Sequence, residues 1–139
     1  MKRSILAIVA GLVTWIVVAS VLNRGLRVLL DGYAAAEPKM TFTLTMMAAR
    51  LTLAVIASLS AGAVAGAIAP LSKWTPWVFG ALVLAAFLPE HVKLWNVFPV
   101  WYHLTFLVTL VPLIVLGAQL TQKRASRVAA GPAASTSTR

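Results

Sequence analysis

Arg50, Glu90, His91 and His103 are side chains able to hold charge or pass a proton within an otherwise oily sequence. Glu90 and both histidines fall in LPEHVKLWNVFPVWYHL, residues 88–104. A carboxylate beside an imidazole can exchange protons, and a carboxylate facing a guanidinium can form a buried pair. No metal site is expected: Glu90 and His91 are adjacent, so on a helix they point about 100° apart and converge poorly on one ion. Haem held by two histidines is not expected either, because only His103 lies within an apolar stretch. The sequence has no Gly-rich phosphate loop, HExxH or GxSxG, and its three acidic residues leave little for acid–base chemistry. It also has no cysteine, which removes disulfides and thiolate catalysis. The expectation is a protein without enzymatic activity, metal or other cofactor.

The elements that must position these residues follow from composition. The chain is 60% hydrophobic and 11% charged, with a mean hydropathy of +0.90, more apolar than a soluble core requires. Four apolar stretches, near 4–22, 44–69, 76–95 and 99–120, have roughly the length needed to cross ~30 Å of hydrocarbon. The expected fold is all-α, a four-helix transmembrane bundle over residues 1–122 with a short interfacial segment after the first helix. The first stretch also admits a cleaved signal peptide, since Val17-Val18-Ala19 precedes Ser20, but its apolar run continues to Leu22 and favours an uncleaved span. Residues 23–40 mix charge with Leu and Val, and are expected to lie along the headgroups. After Lys123 the tail becomes Ala, Ser, Thr, Gly and Pro, so 123–139 is expected to be basic and then disordered.

The second stretch places Ala54, Ser58, Gly62 and Gly66 at steps of four, and Gly62 with Gly66 makes a GxxxG match. Such a row lets another helix, of the same chain or of a second copy, approach closely. The third stretch opens with Thr75-Pro76, a cap and first-turn pair, but its clean run from Trp77 to Leu88 covers only ~18 Å. To span, it must continue through Pro89, Glu90, His91 and Lys93 to Trp95. Pro112 is expected to kink the fourth span, with Thr109 satisfying a freed carbonyl. Trp74, Trp77, Trp95, Trp101 and Tyr102 sit where interfacial aromatics belong, and Trp15, mid-span, is expected to be a packing residue.

The net charge of +9 would suggest nucleic acid in a soluble protein. Here Lys2, Arg3, Lys73, Lys123, Arg124 and Arg127 flank the apolar stretches, where cations meet lipid headgroups and set orientation. The expected partner is the bilayer, not nucleic acid. These cations and Arg139 narrowly outnumber Arg24, Arg27, Lys39, Arg50 and Lys93 on the other side, so the expected topology has both termini cytoplasmic.

An even number of spans puts Arg50, Glu90 and His103 at one end of the bundle, each roughly 6–9 Å inside its helix end. They form a candidate intramembrane polar cluster, with Glu90 turned inward to meet Arg50, His103 or both. A plainer arrangement needs no special packing and carries more weight: Arg50 snorkels to phosphates, Glu90 pairs with Lys93, and His103 is a neutral interfacial residue.

With AGAVAGAIA in the second stretch and NVFPVWYHLTFLVTLVPLIVLGAQL in the fourth, the chain resembles small bacterial four-helix membrane proteins of uncharacterised function. Those proteins similarly pair a Gly/Ala-rich second helix with a Pro-x-Trp-aromatic start of the last helix and a late glycine, matched here by Pro99, Trp101, Tyr102 and Gly117. The resemblance implies an inner-membrane location and carries no catalytic residues. The leading expectation is a structural or accessory membrane component, self-associating through Ser58, Gly62 and Gly66 or joining a membrane-protein partner. The alternatives are a small oligomeric transporter or permeability factor using Glu90 with His103 or Arg50, and a membrane enzyme, which would need one cavity holding Glu90 and His103.

Overall fold

A computed structural model describes residues 1–130. It is all-helical: α1 (Lys2–Leu29), the single turn α2 (Tyr33–Ala36), α3 (Leu44–Ile68), α4 (Thr75–Lys93) and α5 (Val100–Ala130). Four of these are long and apolar enough to cross a membrane. At 1.5 Å per residue, the 19 residues of α4 reach about 28 Å and the 28 of α1 about 42 Å. α1 therefore outruns the hydrocarbon, and Asn23, Arg24 and Arg27 continue the helix instead of opening the interfacial segment. α5 likewise continues through Lys123, Arg124 and Arg127 to Ala130, where a disordered tail was expected. Lys, Arg and Ala favour the helix there. Residues 131–139 of that expected tail lie outside the described residues.

α3 is the centre, packed most extensively against α5 and α1, while α4 lies mainly on α5. Thr43 caps α3, its hydroxyl accepting from the Met46 amide at 3.3 Å. The row Ala54, Ser58, Gly62, Gly66 is buried, and its partner belongs to the same chain. A Cβ on Gly62 would stand 2.0 Å from the Ile114 carbonyl oxygen, and one on Gly66 2.5 Å from that of Ala118. Gly117 returns the contact, its missing Cβ 2.2 Å from the Leu59 carbonyl. Ser58, Gly62 and Gly66 are thus covered by helices of their own bundle, and the self-association expected through them has no exposed surface to use. Thr121 Oγ1 donates to the Ala63 carbonyl at 3.0 Å, fixing the pair in register.

Helix α4 starts one residue earlier than expected. Trp74 stands at the cap position, Thr75 is the first helical residue, and Ser72 Oγ accepts from the Thr75 amide at 3.2 Å. The helix runs through Pro89 and ends at Lys93. The Thr109 hydroxyl donates to the Thr105 carbonyl at 2.6 Å, not to the Val108 carbonyl that Pro112 leaves free.

Candidate functional site

The alternating helices bring the end of α1, the start of α3, the end of α4 and the start of α5 to one end of the bundle. There they enclose a half-open cavity of about 410 Å³. Its deep wall is aromatic. Trp15 packs on Phe87 with ring centroids 4.7 Å apart, Phe87 meets Phe106 edge-on at 5.3 Å, and Ala54 completes the floor. Trp15 is the packing residue its position suggested, and its indole N–H donates to Ser58 Oγ at 3.2 Å within the core.

The mouth is polar, with Asn23, Glu37, Arg50 and Glu90 on its lining. Arg50 Nη1 donates to the Tyr33 hydroxyl at 2.9 Å, and Arg50 Nε donates to the Tyr102 hydroxyl at 3.3 Å. The guanidinium also lies over Phe42, 4.6 Å from the ring centroid. Tyr33 donates onward to Asn23 Oδ1 at 2.7 Å, and Asn23 Nδ2 donates to Glu37 Oε1 at 2.8 Å. Arg27 Nε closes the chain on Glu37 Oε2 at 2.6 Å. Burial pushes the Tyr33 phenol above its ordinary value, against the opposing pull of Arg50, so the hydroxyl keeps the proton it donates. Burial also works against the Glu37 carboxylate, but hydrogen bonds from Asn23 and Arg27 prevail and hold it below the ordinary range.

The expected cluster of Arg50, Glu90 and His103 is only partly assembled. All three line the cavity, but Glu90 accepts from Lys93 Nζ at 2.8 Å across an exposed i,i+3 pair. Among the described residues the two ion pairs are this one and Arg27–Glu37. Pairing along its own helix at the water boundary costs Glu90 little desolvation, whereas turning inward would cost much more. Arg50 takes two phenols in place of the acid, and does not simply snorkel.

His103 is fully buried and its Nδ1 lies 2.8 Å from Nδ1 of His91, which is also buried. One nitrogen must carry the hydrogen and the other the lone pair, so both rings cannot be fully protonated in this arrangement. His103 stacks on Trp95, centroids 5.0 Å apart, and its Nε2 is buried without a partner among the described residues. The pairing expected between Glu90 and His103 is replaced by His91–His103. Sharing of one cavity by Glu90 and His103, the condition set for acid–base chemistry, is met, although the carboxylate is tied to Lys93.

Of the expected interfacial aromatics, Trp74, Trp77, Trp95 and Trp101 are exposed, the first two at the end opposite the cavity. Tyr102 is the correction: it is buried, because its hydroxyl serves Arg50. Tyr33 and Asn23 were not singled out from the sequence, and His91, weighed there only as a metal ligand, was left out of the cluster. The signal available was the tyrosine count, since the chain has two and both sit on Arg50.

Fold and cavity together define a multi-pass helical membrane protein with an aromatic-floored, polar-mouthed pocket at one end. No protein-family model, curated protein or solved structure matches the chain.

Proposed function

We propose that this chain is a non-enzymatic accessory protein of a bacterial inner membrane, with both termini cytoplasmic, whose outward-facing cavity captures a small amphipathic molecule. One observation carries the reading: the cavity grades from an aromatic floor to a charged mouth and lies over a closely packed bundle. Below it, Ala57, Ala61, Phe79 and Ile114 are fully buried, and a Cβ on Gly11 would stand 2.8 Å from Phe79. That is the form of a receptor pocket, concave and apolar with a few convergent polar groups. The orientation follows the cations Lys2, Arg3, Lys73, Lys123, Arg124 and Arg127 at the far end, and the location follows the resemblance of the second and fourth spans to bacterial four-helix proteins.

Protein purified into lipid nanodiscs and extracted with solvent should release a small amphiphile in near-stoichiometric amount. Ala54→Phe, which fills the floor, should abolish the recovery while leaving the helix content intact. Recovery of nothing from the wild type, together with no stabilisation by any added amphiphile, would leave a purely structural component.

Transport by an oligomer is the second reading, and the observation favouring it is that Arg50, Glu90 and His103 line one cavity. Flux in proteoliposomes that depends on Glu90 would decide for it. Because the chain lacks cysteine, single-cysteine variants at Glu90 and Lys123 report topology directly. An impermeant maleimide added outside intact cells should label the first and spare the second.

A further inference from the structure

The proposed capture role leaves the chemistry of the occupant open, and the charges around the cavity narrow it. Glu37 and Glu90 both line the mouth, but each has its own cation, Arg27 and Lys93 respectively. Asn23 is engaged with Tyr33 and Glu37. Arg50 differs. It is half-buried at the membrane boundary, it has no carboxylate within ion-pair distance among the described residues, and its two hydrogen bonds go to neutral phenols. A guanidinium has five N–H donors, so three remain without a protein acceptor among those residues. A partly desolvated cation so placed lacks its counter-charge, and an anion supplied from outside restores it.

The space sets the rest of the molecule. From the mouth to the aromatic floor, Asn23 to Trp15 on α1 and Tyr102 to Phe106 on α5, the depth is roughly 6–12 Å. A cavity of about 410 Å³ holds about 14 water-sized groups at ~30 Å³ each. That fits a single short chain and is too small for a two-chain lipid.

Resting on the capture reading, we propose that the occupant is a free, single-chain amphiphile headed by a carboxylate, its acid on Arg50 and its apolar end against Trp15, Phe87 and Phe106. The carboxylate suits a planar guanidinium, which takes it with two parallel hydrogen bonds.

The test uses full-length protein in phosphatidylcholine nanodiscs, with 8-bromooctanoate, 8-bromooctanol and 8-bromooctylammonium as probes. Bromine at the chain end quenches the Trp15 indole at the floor, and Trp15→Phe identifies that contribution. The carboxylate is expected to bind at least tenfold more tightly than the alcohol. Arg50→Gln should erase this difference while alcohol binding persists, which also shows that the variant is folded, and Arg50→Lys should restore part of it. Equal binding of alcohol and carboxylate to the wild type, or preference for the ammonium, overturns the anion assignment and leaves the capture reading standing. Quenching by none of the probes overturns both. Phosphatidylglycerol introduced into the discs should not displace the carboxylate; displacement would move the anion to a lipid headgroup and overturn the free-ligand assignment.

Discussion

Replacing Gly62 by alanine adds one methyl group where backbone meets backbone. The new Cβ would begin 2.0 Å from the Ile114 carbonyl oxygen and 2.8 Å from its carbon, so α5 must retreat by about 1.5 Å to regain ordinary contact. No side chain can swing aside, because the obstructing atoms belong to the helix itself. The same movement stretches the Thr121–Ala63 bond from 3.0 Å and the Gln122 contacts to the Ala69 and Ser72 carbonyls from 3.2 and 3.1 Å. Overpacking costs about 1–3 kcal/mol and each interhelical hydrogen bond in a membrane about 0.6 kcal/mol. A loss of about 3 kcal/mol follows, roughly 150-fold in the folding constant. Titration with a denaturing detergent, followed by helix circular dichroism in mixed micelles, measures it. Gly25→Ala is the control: nothing lies within 4 Å of its added Cβ, so better helix propensity should stabilise by up to about 1 kcal/mol. A Gly62→Ala protein as stable as wild type would refute the close α3–α5 seam. Should the wild type prove dimeric, a variant that keeps its stability but is monomeric would return the ridge to an intermolecular role.

Two further outcomes are expected. Glu37 is held below its ordinary value near 4.5 when folded, so its contribution is complete above that value and is lost as pH falls through the lower folded one. Proteolysis of the α1–α3 connection should therefore accelerate in acid, and Glu37→Gln should bring the accelerated rate to neutral pH; a pH-independent rate in the wild type contradicts a stabilising role for the Arg27–Glu37–Asn23 contacts. Trp15→Phe removes the donor to Ser58 and should cost about 1 kcal/mol in the same detergent titration, with Ser58→Ala adding little when combined with it; full additivity of the two would count against the bond.

The spans were legible because hydropathy and length are properties of the chain alone, and Gly62 and Gly66 marked the α3 seam because small residues in a row have few other uses in a helix. The choice of helix facing that row was not legible, since spacing alone does not distinguish α5 from a second copy. Depth could be read from helix ends, and Arg50, Glu90 and His103 all line the one cavity. Which way each side chain turns was harder. Glu90 and His91 differ by about 100° on the helix, so the exposed pair with Lys93 sends His91 inward to His103, an inference available from the spacing that was applied only against a metal site. Tyr33 left only the scarcity of tyrosine as a trace, because it sits on a single turn, α2, held in place by Asn23 of α1 and Arg50 of α3. Tyr102, between Trp101 and His103, looked like one more ring at the headgroups; only the burial of Arg50 gives its hydroxyl a reason to leave them.

The cations at the closed end touch nothing in the pocket, and yet they choose its address. Lys2, Arg3, Lys73, Lys123, Arg124 and Arg127 anchor that end on whichever side of the bilayer retains positive charge during insertion. Shifting that handful of lysines and arginines to the opposite loops would deliver the same cavity, every wall atom in place, to the other compartment. The cavity wall and the far-end anchor are thus largely separate sets of residues, joined only through Arg27, Arg50 and Lys93, which shape the mouth and also weigh against the far-end cations in the charge balance.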